Sequence, residues 1–208
     1  MSQIERLAEG VTLHLGDCRE ILPTLGKVDA VVTDPPYGIG FAAQPTKWQR
    51  LAGQKPESWD NATSVDLVLG LLEKGRKIVI WGGNYYPLPL SRGWLTWFKP
   101  DAPPSMASVE LAWTSQNQNA RQVSHSISAT NGERVGHPTQ KPLQVIKWSI
   151  KQMGITSGTI LDPFMGSGTT LRAAKDMGLK AVGIEIEKKY CDIAIERLRQ
   201  RSLLPAMA

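Results

Sequence analysis

Apolar and polar residues follow one another along the chain in a pattern that predicts alternating strands and helices. The segment 11–17, VTLHLGD, alternates apolar and β-branched residues before a Gly-Asp turn, which predicts a strand. The segment 28–33, VDAVVT, is almost continuously apolar, as is typical of a parallel strand covered on both faces. Apolar runs at 76–83, 94–98 and 109–114 predict three further strands.

Helical spacing separates these strands. The segment 64–75, SVDLVLGLLEKG, has a Ser N-cap candidate and a Gly stop, and 140–154 also has helical spacing. The segment 158–178 predicts a strand, a glycine loop and a helix, and 180–201 predicts a strand and an amphipathic helix. Because strands alternate with helices, we expect an α/β fold with a doubly wound, mostly parallel sheet and helices on both faces.

Two polar stretches interrupt this pattern, at residues 41–62 and 115–136. We expect the first to be a long loop and the second to be a polar insertion on one edge of the domain. Basic side chains in these stretches are candidates for contacts with nucleic-acid phosphates. They are Lys47, Arg50, Lys55, Arg121 and Arg134.

Composition is that of an ordinary globular protein. The 208 residues are 41% hydrophobic with a net charge of +5, which suits one domain over 1–208 and favours an anionic partner. The spacing of Cys18 and Cys191 suggests no metal site. The first residues lack an apolar signal-peptide core, and the apolar runs are too short to span a membrane. We therefore expect a cytoplasmic protein.

The segment 161–170, LDPFMGSGTT, predicts a glycine loop between a strand and a helix. Its backbone amides can approach a ligand closely, and Glu185 follows at the end of the next strand, where a carboxylate can accept both hydroxyls of a ribose. Together they predict a site for a nucleoside-containing cofactor. NAD and ATP are disfavoured, because the loop lacks both a third glycine and a Lys-Ser/Thr pair.

Four segments in fixed order carry a resemblance to a known family. They are DPPY (34–37), HPTQKP (137–142), LDPFMGSGTT (161–170) and VGIEIEKKYCDIAIERL (182–198). Together they resemble the β-class DNA amino-methyltransferases, which use S-adenosylmethionine. The resemblance implies a seven-stranded-type, Rossmann-like methyltransferase sheet in which the catalytic motif precedes the glycine loop, a circular permutation.

The resemblance also implies residue roles. The catalytic motif is matched by Asp34, Pro35, Pro36 and Tyr37. The cofactor-binding positions are matched by Asp17, Cys18, His137, Thr139, Gln140, Lys141, Asp162, Phe164, Gly166, Ser167, Gly168, Thr169 and Glu185. The implied substrate is double-stranded DNA.

The catalytic segment has a chemical reason. The Asp34 carboxylate and the Pro35 carbonyl can accept hydrogen bonds from the exocyclic amine of a base, so that its lone pair points at the cofactor methyl. Proline fixes φ near about −65° and so holds that carbonyl in place. Tyr37 offers a flat face to a base flipped out of the duplex.

Asp34 favours adenine N6 as the target, since relatives that modify cytosine N4 more often carry Ser there. Cytosine N4 is the nearest alternative. A non-catalytic nucleic-acid binder, an RNA base methyltransferase and an NAD oxidoreductase are further alternatives, the last disfavoured by the glycine loop.

Family members usually insert a target-recognition region between the segments VELAWT and HPTQKP, where this chain has room for a long loop of roughly 20 residues only. The interpretations are a very short site, relaxed specificity, use of the 41–62 loop, or a homodimer. The sequence leaves open a restriction-modification partner or a solitary enzyme.

Overall fold

One sheet runs through the part of the chain that the computed structural model describes, which is residues 3–7, 10–37, 63–133, 135 and 140–200. In the described residues it has nine strands, in the order β1-β2-β9-β8-β3-β4-β6-β5-β7. Their bounds are β1 Gln3–Leu7, β2 Val11–Leu15, β3 Val28–Thr33, β4 Gly75–Trp81, β5 Trp94–Phe98, β6 Val109–Thr114, β7 Arg121–Ser124, β8 Thr159–Asp162 and β9 Lys180–Glu185. The pairings make β1 and β6 antiparallel to the other strands, so the sheet is mostly parallel, as predicted.

Short helices connect the strands. The α-helices of the described residues are α1 Cys18–Ile21, α2 Val65–Gly70, α3 Ile127–Glu133, α4 Leu143–Gln152, α5 Thr169–Asp176 and α6 Lys188–Arg199. The predicted N-cap Ser64 accepts a hydrogen bond from the backbone N–H of Leu67, which fixes the start of α2. No helix of the described residues has the length and apolar character needed to cross a membrane.

The sheet is buried on both faces, because successive residues of the central strands point to opposite sides. Val32 of β3 and Trp81 of β4 join an apolar cluster with residues of α4, α5 and α6. Val31 and Ile80 join a second cluster, with Ile21 and other residues of α1 and α2. Each such buried side chain contributes about 1.5–3 kcal/mol of transfer free energy, which explains the continuous apolar runs of these strands.

The edges of the sheet differ from the prediction. A seven-stranded-type sheet was expected, and the structure adds β1 at one edge and β7 at the other. The stretch 115–136 lies at an edge, and the structure gives it a strand and a helix that the sequence did not indicate. Arg121–Ser124 pairs with β5, and Ile127–Glu133 forms α3. The side chains of β7 are mostly exposed, so an apolar pattern could not reveal the strand.

The fold brings the predicted motifs to one end of the sheet. β3, β8 and β9 are parallel neighbours, so the segments after them leave at the same edge. The chain continues from β8 to β9 on one side and from β3 to β4 on the other. This reversal between β8 and β3 opens a crevice, the usual place for a ligand in a doubly wound sheet.

Candidate active site

A cavity of about 940 Å³ lies at the carboxyl ends of the central strands. Its walls include the segment after β3, the glycine loop after β8 and the end of β9. Further wall residues come from β6 and from the turn after β4, among them Glu110 and Tyr85. The cavity therefore joins the two regions in which the sequence predicts catalysis and cofactor binding.

Asp34 lies directly after β3 with both carboxylate oxygens engaged. Its Oδ1 accepts a hydrogen bond of 2.8 Å from the Tyr37 hydroxyl, and its Oδ2 pairs with the Lys141 ammonium. Burial and the negative charge of Asp34 raise the pKa of the Tyr37 hydroxyl, so it remains a donor. The carboxylate is thus held in one orientation by two donors.

The Tyr37 ring is fixed on two sides. It stacks on Tyr85 with 4.7 Å between ring centroids and 16° between planes. Gly82 adopts φ +67°, and a Cβ there would lie 2.1 Å from Tyr37 Cε1, so only glycine fits. Tyr85 is 54% exposed and, like Tyr37, is part of the cavity wall.

Pro36 is anchored by its carbonyl. The oxygen accepts hydrogen bonds from the Tyr86 hydroxyl at 2.7 Å and from the backbone N–H of Thr63 at 2.9 Å. The segment between Asp34 and Tyr37 is therefore held by bonds from two other parts of the chain.

Lys141 links Asp34 to the opposite wall. Its Nζ lies 3.1 Å from Glu110 Oε2, and Glu110 Oε1 pairs with Lys99. Burial alone would lower the pKa of Lys141, but the charges of Asp34 and Glu110 raise it well above its usual value. Burial would likewise raise the pKa of Glu110, but the two lysines lower it. Lys141 and Glu110 are therefore both charged near neutral pH.

The glycine loop is organised around Glu185 at the end of β9. Glu185 Oε2 accepts a hydrogen bond of 2.9 Å from the Gly166 N–H, and Oε1 accepts one of 2.8 Å from the Glu187 N–H. Burial raises the pKa of Glu185 to about 7. A carboxylate that accepts one backbone amide on each oxygen keeps lone pairs for further donors, such as the hydroxyls of a ribose.

Asp162, the last residue of β8, is buried beside the loop. Its Oδ1 accepts hydrogen bonds of 2.7 Å from the Thr33 hydroxyl and 3.1 Å from the Phe164 N–H. Burial raises its pKa to about 6. The carboxyl thereby ties the end of β3 to the start of the glycine loop.

Arg197 of α6 supports the loop from below. It is 8% exposed, and its NH1 donates to Thr169 Oγ1 at 2.9 Å and to the Ser167 carbonyl at 3.4 Å. Gly168 adopts φ +78°, and a Cβ there would lie 2.9 Å from Ala194 Cβ. Gly168 thus allows the loop to pack closely on α6, and the cofactor contact expected for it stays a prediction.

The other predicted residues have these positions. The cavity wall includes Asp17, Cys18, Asp34, Pro35, Pro36, Tyr37, Gln140, Lys141, Asp162, Phe164, Gly166, Ser167, Thr169 and Glu185. Outside the described residues lie His137, Thr139, Lys47, Arg50, Lys55, Arg134 and the predicted loop 41–62. Arg121 is exposed at the start of β7, away from the cavity wall.

Three predicted cofactor residues have partners that the sequence did not indicate. Lys141 pairs with Asp34, as described above. Gln140 donates from Nε2 to the Glu133 carbonyl at 3.0 Å and accepts from Ser167 Oγ at 3.3 Å. Asp17 caps α1 and pairs with Arg19, and the hydrogen bond from the Arg19 side chain lowers its pKa.

Sequence reasoning missed Glu110, Lys99, Tyr85 as a partner of Tyr37, and Arg197 as a buried residue. Glu110 carried a weak signal, since it is a lone carboxylate inside the apolar strand 109–114. Arg197 carried almost none, because IERLRQR has the composition of an exposed helix face.

Comparison with known proteins decides the family. Residues 80–196, more than half of the chain, match the N6/N4 methyltransferase family model, described as DNA methylase. The chain belongs to this DNA methylase family. Its members are S-adenosylmethionine-dependent DNA amino-methyltransferases, and the family includes both adenine-N6 and cytosine-N4 enzymes.

One relative is similar to this chain over only part of its length. Type II methyltransferase M.ScaI of Streptomyces caespitosus is 46% identical over 76 residues, which are 36% of this chain and 25% of that protein. The match thus spans about a quarter of the relative's length.

Solved structures agree with the fold. The crystal structure of an M1.HpyAVI–SAM complex has a TM-score of 0.65 and 23% identity, over 91% of this chain and all of that one. The cytosine-N4-specific PvuII DNA methyltransferase has a TM-score of 0.62 and 17% identity, over 94% and 88% of the two chains. At these identities the likeness concerns the fold.

The family's cofactor is S-adenosylmethionine, and the described residues fit it. Glu185 presents carboxylate oxygens at a strand end, and the glycine loop offers backbone amides next to it. The cavity continues from there to Asp34, so that a methyl donor and an acceptor have room side by side.

Proposed function

We propose that this protein transfers a methyl group from S-adenosylmethionine to the N6 amine of adenine in double-stranded DNA. One observation carries the proposal: the Asp34 carboxylate, at the end of β3, opens into the same cavity as Glu185 and the glycine loop. A hydrogen-bond acceptor for an amine and a cradle for a nucleoside cofactor are thus parts of one site.

The chain's own residues orient the reactants. Glu185 accepts the ribose hydroxyls, and the loop around Gly166 fixes the cofactor's depth in the crevice. When bound, S-adenosylmethionine supplies an electrophilic methyl group on a sulfonium. Asp34 and the Pro35 carbonyl accept hydrogen bonds from the two N–H groups of the amine, which aims its lone pair at that methyl. Positioning of this kind supplies a large part of the rate in two-substrate reactions.

The target base must leave the duplex to reach Asp34. Stacked Tyr37 and Tyr85 form an aromatic wall from Asp34 towards the opening, and stacking of a base on such a wall contributes about 1–3 kcal/mol. The net charge of +5 attracts the DNA backbone. Arg121, and the predicted contacts Lys47, Arg50, Lys55 and Arg134, are our candidates for its phosphates.

Adenine is favoured over cytosine by Asp34, where cytosine-N4 enzymes more often have Ser. The fold of the cytosine-N4-specific PvuII enzyme is similar, which makes cytosine N4 the second candidate. Both bases present an exocyclic amine to the same pair of acceptors, so the choice depends on the shape of the base pocket.

Nucleoside mass spectrometry separates these candidates. Unmethylated DNA, and RNA of the same sequence, are incubated with the protein and labelled cofactor and then digested. We expect N6-methyl-2′-deoxyadenosine in the DNA digest and no labelled nucleoside in the RNA digest. N4-methylcytosine would move the proposal to the second candidate, label in RNA would change the substrate class, and no label in any nucleoside would contradict the function.

A further inference from the structure

Four charged side chains lead from Asp34 to the far wall of the cavity. Asp34 pairs with Lys141, Lys141 lies 3.1 Å from Glu110, and Glu110 pairs with Lys99. The side chains of Lys141 and Lys99 are only 8% and 6% exposed. The signs alternate, and the two carboxylates balance the two ammonium groups.

Lys141 has two opposite effects on Asp34. It holds the carboxylate in place, but it also competes for the oxygen that should accept a hydrogen bond from the target amine. Charge-assisted hydrogen bonds are roughly twice as strong as those between neutral groups. A lysine committed to Asp34 alone would therefore neutralise more of its charge and leave a weaker acceptor for a neutral amine, which must use the lone pairs that Tyr37 and Lys141 leave free.

Glu110 competes with Asp34 for the protons of the Lys141 ammonium. The ammonium has three protons, and the structure directs them at Asp34 Oδ2, at Glu110 Oε2 and towards the Tyr37 oxygen at 3.4 Å. Glu110 is itself oriented by Lys99 through its other oxygen. Lys141 thus forms ion pairs with two carboxylates at once.

We propose that Glu110 is a positioning residue for methyl transfer. By drawing Lys141 partly away from Asp34, it keeps the Asp34 carboxylate oriented and still able to accept the amine. This inference rests on the proposed function, and it concerns the rate of the chemical step, with cofactor binding at Glu185 left intact.

A purely structural role for Glu110 makes a different prediction. Breaking a buried ion pair destabilises a protein by leaving one charge unpaired. Such damage would lower the free energy of unfolding and the fraction of folded cofactor sites, and would leave the rate per titrated site unchanged. A role that acts through Lys141 instead disappears once Lys141 is absent, so the two variants are not additive.

A double-mutant cycle tests this difference. The single-turnover rate of methyl transfer to DNA, per titrated cofactor site, is measured for the wild type, Glu110→Gln, Lys141→Met and the double variant. We expect Glu110→Gln to lower the rate by about tenfold or more, the range of coupled neighbouring residues, with an unchanged Kd for cofactor. In the Lys141→Met background, the same substitution is expected to have no further effect.

Two further variants complete the design. Glu5→Gln removes an ion-paired glutamate on β1, at the other end of the sheet, and is expected to keep the wild-type rate. Glu110→Asp keeps the charge and is expected to retain a higher rate than Glu110→Gln.

The outcomes are distinguishable. Suppose that the wild type transfers methyl groups. If Glu110→Gln then has the wild-type rate, or if it lowers the rate by the same factor in the Lys141→Met background as in the wild type, the inference is wrong and the proposed function survives. Equal losses in Glu110→Asp and Glu110→Gln would also refute it. If the wild type methylates no DNA, both proposals fall.

Discussion

The two ends of the cavity are built on different principles. Around Asp34, paired charges fix one another, and the pKa values of Tyr37, Lys141 and Glu110 all move away from neutrality. Around Glu185, backbone amides and burial dominate, and the pKa of its carboxyl rises to about 7. We infer that these three groups of the catalytic end keep their charge states near neutral pH, whereas Glu185 titrates there.

The substitution with the largest expected effect impairs the catalytic end of the cavity alone. In Gly82→Ala, the new methyl group would overlap the Tyr37 ring, and the backbone at φ +67° disfavours alanine. We expect a loss of methyl transfer of about 100-fold, as for other small misplacements of reacting groups, with an unchanged Kd for cofactor. Single-turnover rates and calorimetry measure the two quantities.

Gly26→Ala is the matched control for this substitution. A Cβ at Gly26 would meet no atom within 4 Å, so we expect the wild-type rate. Equal losses in both variants, or a normal rate in Gly82→Ala, would show that the placement of the Tyr37 ring against Gly82 does not affect methyl transfer.

The next effect separates the two ends by pH. Glu185 accepts ribose hydroxyls as a carboxylate, but burial in the free protein favours its protonated form. Cofactor affinity should therefore fall as the pH drops through 7, by about tenfold between pH 8 and pH 6, since one pKa unit below the midpoint leaves about a tenth ionised. Calorimetric titration over this range measures it.

Glu185→Gln is expected to bind cofactor weakly at every pH in that range. A wild-type affinity that stays constant from pH 6 to pH 8 would contradict the role given to Glu185. The same pKa shift makes the stability of the fold depend on pH in the opposite direction to cofactor affinity. The folded, free protein binds more protons between the ordinary value and about 7, so this group's contribution to stability is lost as the pH rises.

A smaller effect concerns the support beneath the glycine loop. In Arg197→Met, the hydrogen bond to Thr169 and the contact with the Ser167 carbonyl are lost, while the methionine side chain fills the space of the aliphatic part of the arginine. We expect the free energy of unfolding to fall by about 1–3 kcal/mol, as for other buried polar groups left unpaired. Urea unfolding measures it.

The matched control is Arg199→Met on the same helix. Arg199 is an exposed arginine paired with Glu5, and such pairs contribute little to stability. An equal, small change in both variants would mean that the buried contacts of Arg197 do not stabilise the loop.

Sequence alone predicted the centre of the fold well. Val28–Thr33 and Trp94–Phe98 have the predicted bounds, because burial on a sheet demands apolar residues that are visible as runs. It failed at the edges, where β1 and β7 have exposed polar side chains and depend on backbone pairing with β2 and β5.

The site likewise has a part that the sequence predicted and a part that it did not. The motifs located Asp34 and the glycine loop, because each lies directly after a strand of recognisable pattern. The partners of Lys141 could not be predicted, because Asp34 and Glu110 are distant from it in sequence and no local pattern indicates that the fold brings them together.

The most direct test of the account is Asp34→Asn, compared with the wild type for labelled methyl transfer to DNA and for cofactor binding. The amide keeps the shape but replaces one acceptor oxygen with a donor. We expect transfer to fall by about 10²–10³-fold, as when one key polar group of an active site is removed, with cofactor still bound. Undiminished transfer by Asp34→Asn would contradict the central claim that this carboxylate aligns the target amine.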